Sequence, residues 1–146
     1  MNEVARVDIS LRNFLCLSTL EAGSATAFHL GRIVRLGFVL AYLRRFGYST
    51  LTPKQFRRAE RGFSRATERF QKSARWELEH EELESARQVV HAFDISLAGV
   101  PLTVLAQAHR YANANLNAPL QRRLSMSTLA DDDYVPGPYA LNAVAA

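Results

Sequence analysis

The segment from Thr52 to Arg75 leaves few folds open. Phe56, Ala59, Phe63, Ala66 and Phe70 recur at spacings of 3, 4, 3 and 4, which aligns them along one side of a helix and on neither face of a strand. Thr52 is a good N-cap, and Pro53 suits the first helical position, where its missing N–H costs nothing. At about 100° per residue, Lys54, Arg58, Arg61, Arg65, Arg69 and Lys72 gather on the opposite face. A helix with rings on one side and cations on the other belongs on the outside of a helical bundle, with its rings turned inward.

The rest of the chain carries the same periodicity. Residues 8–21 place Leu11, Phe14, Leu15 and Ser18 at helical spacing, and no second strand is on offer for the short alternation at 7–11 to pair with. Gly23-Ser24 breaks the chain, with Ser24 as the expected cap of a second helix reaching about Phe46 and Gly47 as its left-handed stop. In that helix Phe28, Ile33, Leu36, Val39, Leu40 and Leu43 cover a wide face, the pattern of a central core helix. Between 75 and 98 no Gly or Pro intervenes, and Trp76, Leu83, Ala86, Val90, Phe93 and Leu97 form a new apolar set. That set is rotated well over 90° from the phenylalanine seam. The chain therefore either breaks near 73–77 or continues as one long helix that changes partners. Gly99 and Pro101 mark the next boundary, and a last helix runs to about Leu116.

From 117 onward Asn117, Pro119 and Pro136-Gly137-Pro138 discourage helix, so residues 117–146 are expected to be a flexible or extended tail. The expected fold is all-α: a single helical domain of four or five helices over residues 1–116, followed by that tail. A chain of 146 residues, 48% hydrophobic and 22% charged, can bury one sizeable core without staples.

Several function classes fall away on composition and motifs. The lone Cys16 cannot close an internal disulfide or supply a cysteine zinc site, and its neighbours Phe14, Leu15 and Leu17 fit an inert core thiol. The apolar run at 36–43 is eight residues long, far short of the roughly 20 that span a bilayer. Arg32, Arg35, Arg44 and Arg45 flank it, which would also suit a helix lying on a membrane surface, but core is the better reading. The N-terminal residues carry no secretory pattern, so the expected location is cytoplasmic. Nucleophile elbows, glycine-rich phosphate loops and dinucleotide fingerprints are missing, which predicts a non-catalytic protein with no cofactor. Glu77-x-x-His80, with Glu81, Glu84 and His91 nearby, has the spacing of di-iron bundles, but the second such motif those sites need is lacking. Gln121-Arg122-Arg123-Leu124-Ser125 matches a basophilic kinase pattern of low specificity, and 131–139 reads as a solubilising end.

Charge patterning carries the functional reading. Residues 54–75 hold eight basic side chains against Glu60 and Glu68, and Glu77, Glu79, Glu81, Glu82 and Glu84 follow without a cation among them. A basic block joined to an acidic one favours contact with another helix, from a protein partner or a second copy of the chain in a homodimer. If the chain breaks near Ser73, the two blocks can also pair within one molecule. The expected surface is 54–84: Lys54, Arg58, Arg61, Arg65, Arg69 and Lys72 meet an acidic or phosphate-bearing partner, and Glu77, Glu81 and Glu84 meet a basic one. The alternative is a nucleic-acid-binding accessory protein that lays the same arginines on phosphates with little sequence preference.

Overall fold

A computed structural model describes residues 1–134 of the chain. Its elements are α1 (Glu3–Glu21), α2 (Ala27–Arg44), α3 (Pro53–Ser73), α4 (His80–Leu97), α5 (Leu102–Asn117), a 3-10 turn (Leu120–Arg122) and a short α6 (Met126–Ala130). The all-α class is as expected, and the sixth α-helix beyond the four or five read from the sequence is the short α6. The expectations for 135–146, including Pro136-Gly137-Pro138, lie outside the described residues.

α2 is the hub, packed against α1, α3, α4, α5 and α6. Ile33, Val39, Leu40, Ala41 and Leu43 have no exposed surface. Burying the run at 36–43 among five helices, with Tyr42 its one partly exposed member, places it in the core and not on a membrane. Among the described residues no helix is long and apolar enough to cross a membrane. Gly47, at φ +81°, ends α2 in a Schellman arrangement: Tyr48 N–H donates to the Leu43 carbonyl and Gly47 N–H to that of Arg44.

Four boundaries and faces depart from the sequence reading. α1 begins at Glu3, five residues early, because the Asn2 side chain accepts from Ala5 N–H and caps it there. α2 is capped by Thr26 and not by Ser24; its hydroxyl and the His29 ring form the reciprocal pair that starts the helix. Phe28, expected in the core, is 68% exposed, since the first turn of α2 stands at the rim of a hollow. In α1 the buried line is Asn13, Cys16, Leu17 and Leu20, whereas Leu11 and Leu15, expected inside, face solvent with Val4 and Val7. α1 is apolar on two sides, and among the described residues only one of them has a neighbour.

The largest correction concerns the tail. Residues 120–130 are not an extended appendage, because Met126, Leu129 and Ala130 are buried against α2 and α3. Gly37 makes room: a Cβ there would stand 2.7 Å from Met126 Cε. Polar ties hold both ends of α6. Met126 N–H donates to the Glu60 carboxylate (2.8 Å), while Arg44 and Arg45 donate to the Ala130 (3.1 Å) and Leu129 (3.2 Å) carbonyls. Those are the favourable signs of charge for a helix's two ends. The packed domain thus runs past 116 to at least Ala130. The kinase-like segment becomes the lead-in to α6, with Ser125 as its N-cap.

Candidate functional site

Four of the five seam residues are buried, Phe56, Ala59, Phe63 and Ala66 being each 3% exposed or less, while Phe70 at the seam's end is half-buried. The seam fixes the opposite face of α3, where Lys54, Arg57, Arg58, Arg61, Arg65 and Lys72 are exposed. The chain breaks where the seam ends. Ala74 takes a left-handed conformation (φ 56°), its N–H closing on the Phe70 carbonyl. The Trp76 ring then stacks on Phe70 with centroids 3.9 Å apart. Residues 74–79 run back along the last turns of α3, so α4 starts beside the middle of that helix. The basic and acidic blocks consequently meet inside one molecule.

Glu82 is the centre of that meeting. Its side chain is fully buried; it accepts from Arg69 through both carboxylate oxygens, and Arg65 Nε lies 3.8 Å away. It also accepts from the Glu79 backbone N–H (3.0 Å), completing the N-cap of α4. Arg69 in turn holds the Glu79 carboxylate at 3.3 Å and the Glu77 carbonyl at 2.8 Å. Its hydrogen bond to Glu82 raises the Arg69 pKa above the ordinary arginine range, with burial opposing. Gly62 lies directly beneath Glu82, where an added Cβ would stand 3.4 Å from Glu82 Cγ, in van der Waals contact.

The sequence reading counted Glu82 only as one charge among five. The signal that could have singled it out is the Glu79-x-x-Glu82 spacing of a capping box at the start of an apolar period.

The expected site residues therefore divide. Arg69 turns inward and belongs to the fold. Arg65 is shared, reaching Glu82 and, at 4.0 Å, Glu81. Lys54, Arg57, Arg58, Arg61 and Arg65 line an open groove of about 370 Å³ with Glu81 on its wall. A second hollow of about 360 Å³, formed by Arg58, His80, Glu81 and Glu84, adjoins it. The two share Arg58 and Glu81, which makes one continuous surface, basic along α3 and acidic at the start of α4. Lys72 is exposed toward the other end of α3. Glu77 is exposed but lines neither hollow, and its place in the fold is the carbonyl that Arg69 holds. Glu84 sits 3.6 Å from Arg87.

Among the described residues Lys54, Arg57, Arg58 and Arg61 have no carboxylate within ion-pair distance, and no group of three or more metal-ligating side chains comes together. Cys16 is buried, and that burial pushes its thiol up, against the pull of Arg32. His91 lies edge-on to Phe14, with ring centroids 5.2 Å apart. Comparison with protein-family models, with curated proteins and with solved structures finds no match to this chain.

Proposed function

We propose that this chain is a non-catalytic binding protein that docks a protein partner on the surface formed by α3 and the start of α4. The observation that carries the reading is a charge imbalance. Arg65 and Arg69 are paired with Glu79, Glu81 and Glu82, which leaves Lys72 as the one unpaired cation in the C-terminal half of α3 among the described residues. Lys54, Arg57, Arg58 and Arg61 are left facing solvent without counter-charges among the described residues. The partner that complements them carries carboxylates along one edge, with a cation opposite Glu81 and Glu84. Exposed ion pairs contribute only about 0–1 kcal/mol each, so the charges chiefly set orientation and association rate.

Nucleic acid is the second reading, and the four uncompensated cations are what favour it. Two features weigh toward protein. Glu81 stands in the groove wall with its side chain 83% exposed, where it would repel a phosphate backbone. Among the described residues no aromatic ring lines the groove to stack on a base.

The test is fluorescence anisotropy with a labelled peptide bearing a run of glutamates and one terminal lysine, set against labelled duplex DNA and single-stranded RNA, across a salt series. Peptide binding that falls at least tenfold in R58E/R61E, with an unchanged melting curve, supports the protein reading. Tighter binding of the duplex, with a log–log salt slope of about −3 to −4 for four phosphates, transfers the function to nucleic acid. No binding of any probe at low salt refutes both.

A further inference from the structure

A larger hollow lies away from α3. It has a volume of about 660 Å³ and opens where α1, α2, α4 and α5 diverge. Pockets of roughly 300–1,000 Å³ with mainly apolar walls and a few convergent polar groups are the usual form of small-molecule sites. Here Phe28, Leu36, Phe93 and Leu116 supply apolar wall, and Arg32, Arg35, His109 and Asn113 supply polar atoms. No Asp or Glu lines it.

Three observations give this hollow a chemical preference. First, Arg32 and Arg35 stand three residues apart on α2, and neither has a carboxylate within ion-pair distance among the described residues. Arg44 and Arg45, at the other end of the same helix, direct their donors to carbonyls of α6. Second, Arg32 is built into place: its Nε donates to Asn13 Oδ1 at 3.0 Å, and Asn13 is 2% exposed. A buried amide that orients a guanidinium toward a cavity is a positioning contact. It leaves the outer nitrogens of the fork for something else. Third, Arg35 approaches His109 Nδ1 at 3.5 Å. With that nitrogen facing a donor, the ring proton sits on Nε2 and makes the imidazole a neutral donor. Burial first, then Arg35 and Arg32, hold the His109 pKa below the ordinary histidine value. Phe28 completes the arrangement as an apolar ring at the rim, 68% exposed.

We infer that this hollow binds a small amphipathic carboxylate: a carboxyl head between the Arg32 and Arg35 guanidinia, and an aliphatic or aromatic body against Phe28, Leu36, Phe93 and Leu116. Both guanidinia line one recess that holds no counter-charge among the described residues. A planar carboxylate supplies that counter-charge and matches the donor fork. This inference stands apart from the α3 surface, and either can fail without the other.

Isothermal titration with decanoate, 1-naphthoate, decanol and inorganic phosphate is the test. Decanoate or naphthoate should bind at least tenfold more tightly than decanol or phosphate, and which of the two binds better tells an aliphatic body from an aromatic one. R35Q should lower that affinity at least tenfold, while R58Q/R61Q should leave it unchanged. Because R32Q loses the Asn13 contact and can unfold the chain, a second readout uses the wild type: the His109 ring resonance, titrated with and without decanoate, should report a higher pKa in the bound form. Equal affinity for decanoate and decanol, no binding of either acid, or full affinity in R35Q overturns the proposal.

Discussion

Replacing Glu82 tests the internal meeting of the two charge blocks. Its side chain is fully buried; it holds Arg69 through both oxygens and caps the Glu79 N–H. Breaking a buried pair by removing one partner costs about 3–5 kcal/mol. Two features bring Glu82→Ala to the low end of that range. Arg69 keeps the Glu79 carboxylate at 3.3 Å and the Glu77 carbonyl at 2.8 Å, and its side chain is 30% exposed, so water shares the remaining charge. The lost cap contact adds about 0.5–2 kcal/mol. The expected loss is about 3.5–5 kcal/mol, a fall in Tm of roughly 7–20 °C for a chain of this size.

Urea and thermal unfolding followed by far-UV circular dichroism read this directly. Glu81→Ala is the control, since that neighbour is 83% exposed, and it should change stability by less than about 0.5 kcal/mol. Equal melting curves for the two variants would refute the reasoning, because a carboxylate whose removal costs nothing is not anchoring α4 to α3.

Further outcomes follow from the packing. Phe63→Ala should destabilise by about 3–5 kcal/mol, because Phe63 is 3% exposed in the seam; an unchanged urea midpoint would contradict its burial. Met126→Ala should cost about 2–4 kcal/mol, since Met126 is 1% exposed against Gly37, and unfolding with the wild-type midpoint would show that α6 is dispensable. His109 gives a pH dependence with a definite sign. Its folded pKa lies below the ordinary 6.5, so as pH falls below about 6.5 the unfolded chain takes up a proton that the folded chain refuses. Stability is therefore lost from there down to the folded pKa. Burial, then Arg35 and Arg32, oppose protonation, and no carboxylate among the described residues lines the hollow to favour it. Stabilities measured at about pH 7.5 and about pH 5.5 should differ less in H109Q than in the wild type; equal differences would remove His109 as the cause.

Local patterns were legible in the sequence, and their limits have a physical source. The 3-4-3-4 spacing of Phe56, Ala59, Phe63, Ala66 and Phe70, the Thr52-Pro53 start and the Gly47 stop depend on backbone geometry within a few residues. They therefore determined the class, the buried face of α3 and its exposed cationic face. What is read along one helix does not say what lies across from it. α1 is apolar on two sides, and only the positions of α2 and α4 settle that Leu17 is inside and Leu11 outside. The 117–146 stretch looked structureless because α6 is five residues long, too short for a period to register. Its burial depends on the gap beside Gly37 and on Glu60, Arg44 and Arg45 reaching it from far along the chain.

The two proposed binding surfaces divide in the same way. The run of cations along α3 is a property of the sequence. Which of them are neutralised was decided by the left-handed turn at Ala74, which swings Glu82 back onto Arg69 and leaves the Lys54–Arg61 end bare. The hollow around Arg32, Arg35 and His109 has no sequence signature, because its members come from four helices. Periodicity is a short-range consequence of the backbone, whereas a site is a coincidence of side chains that only the packed chain brings together.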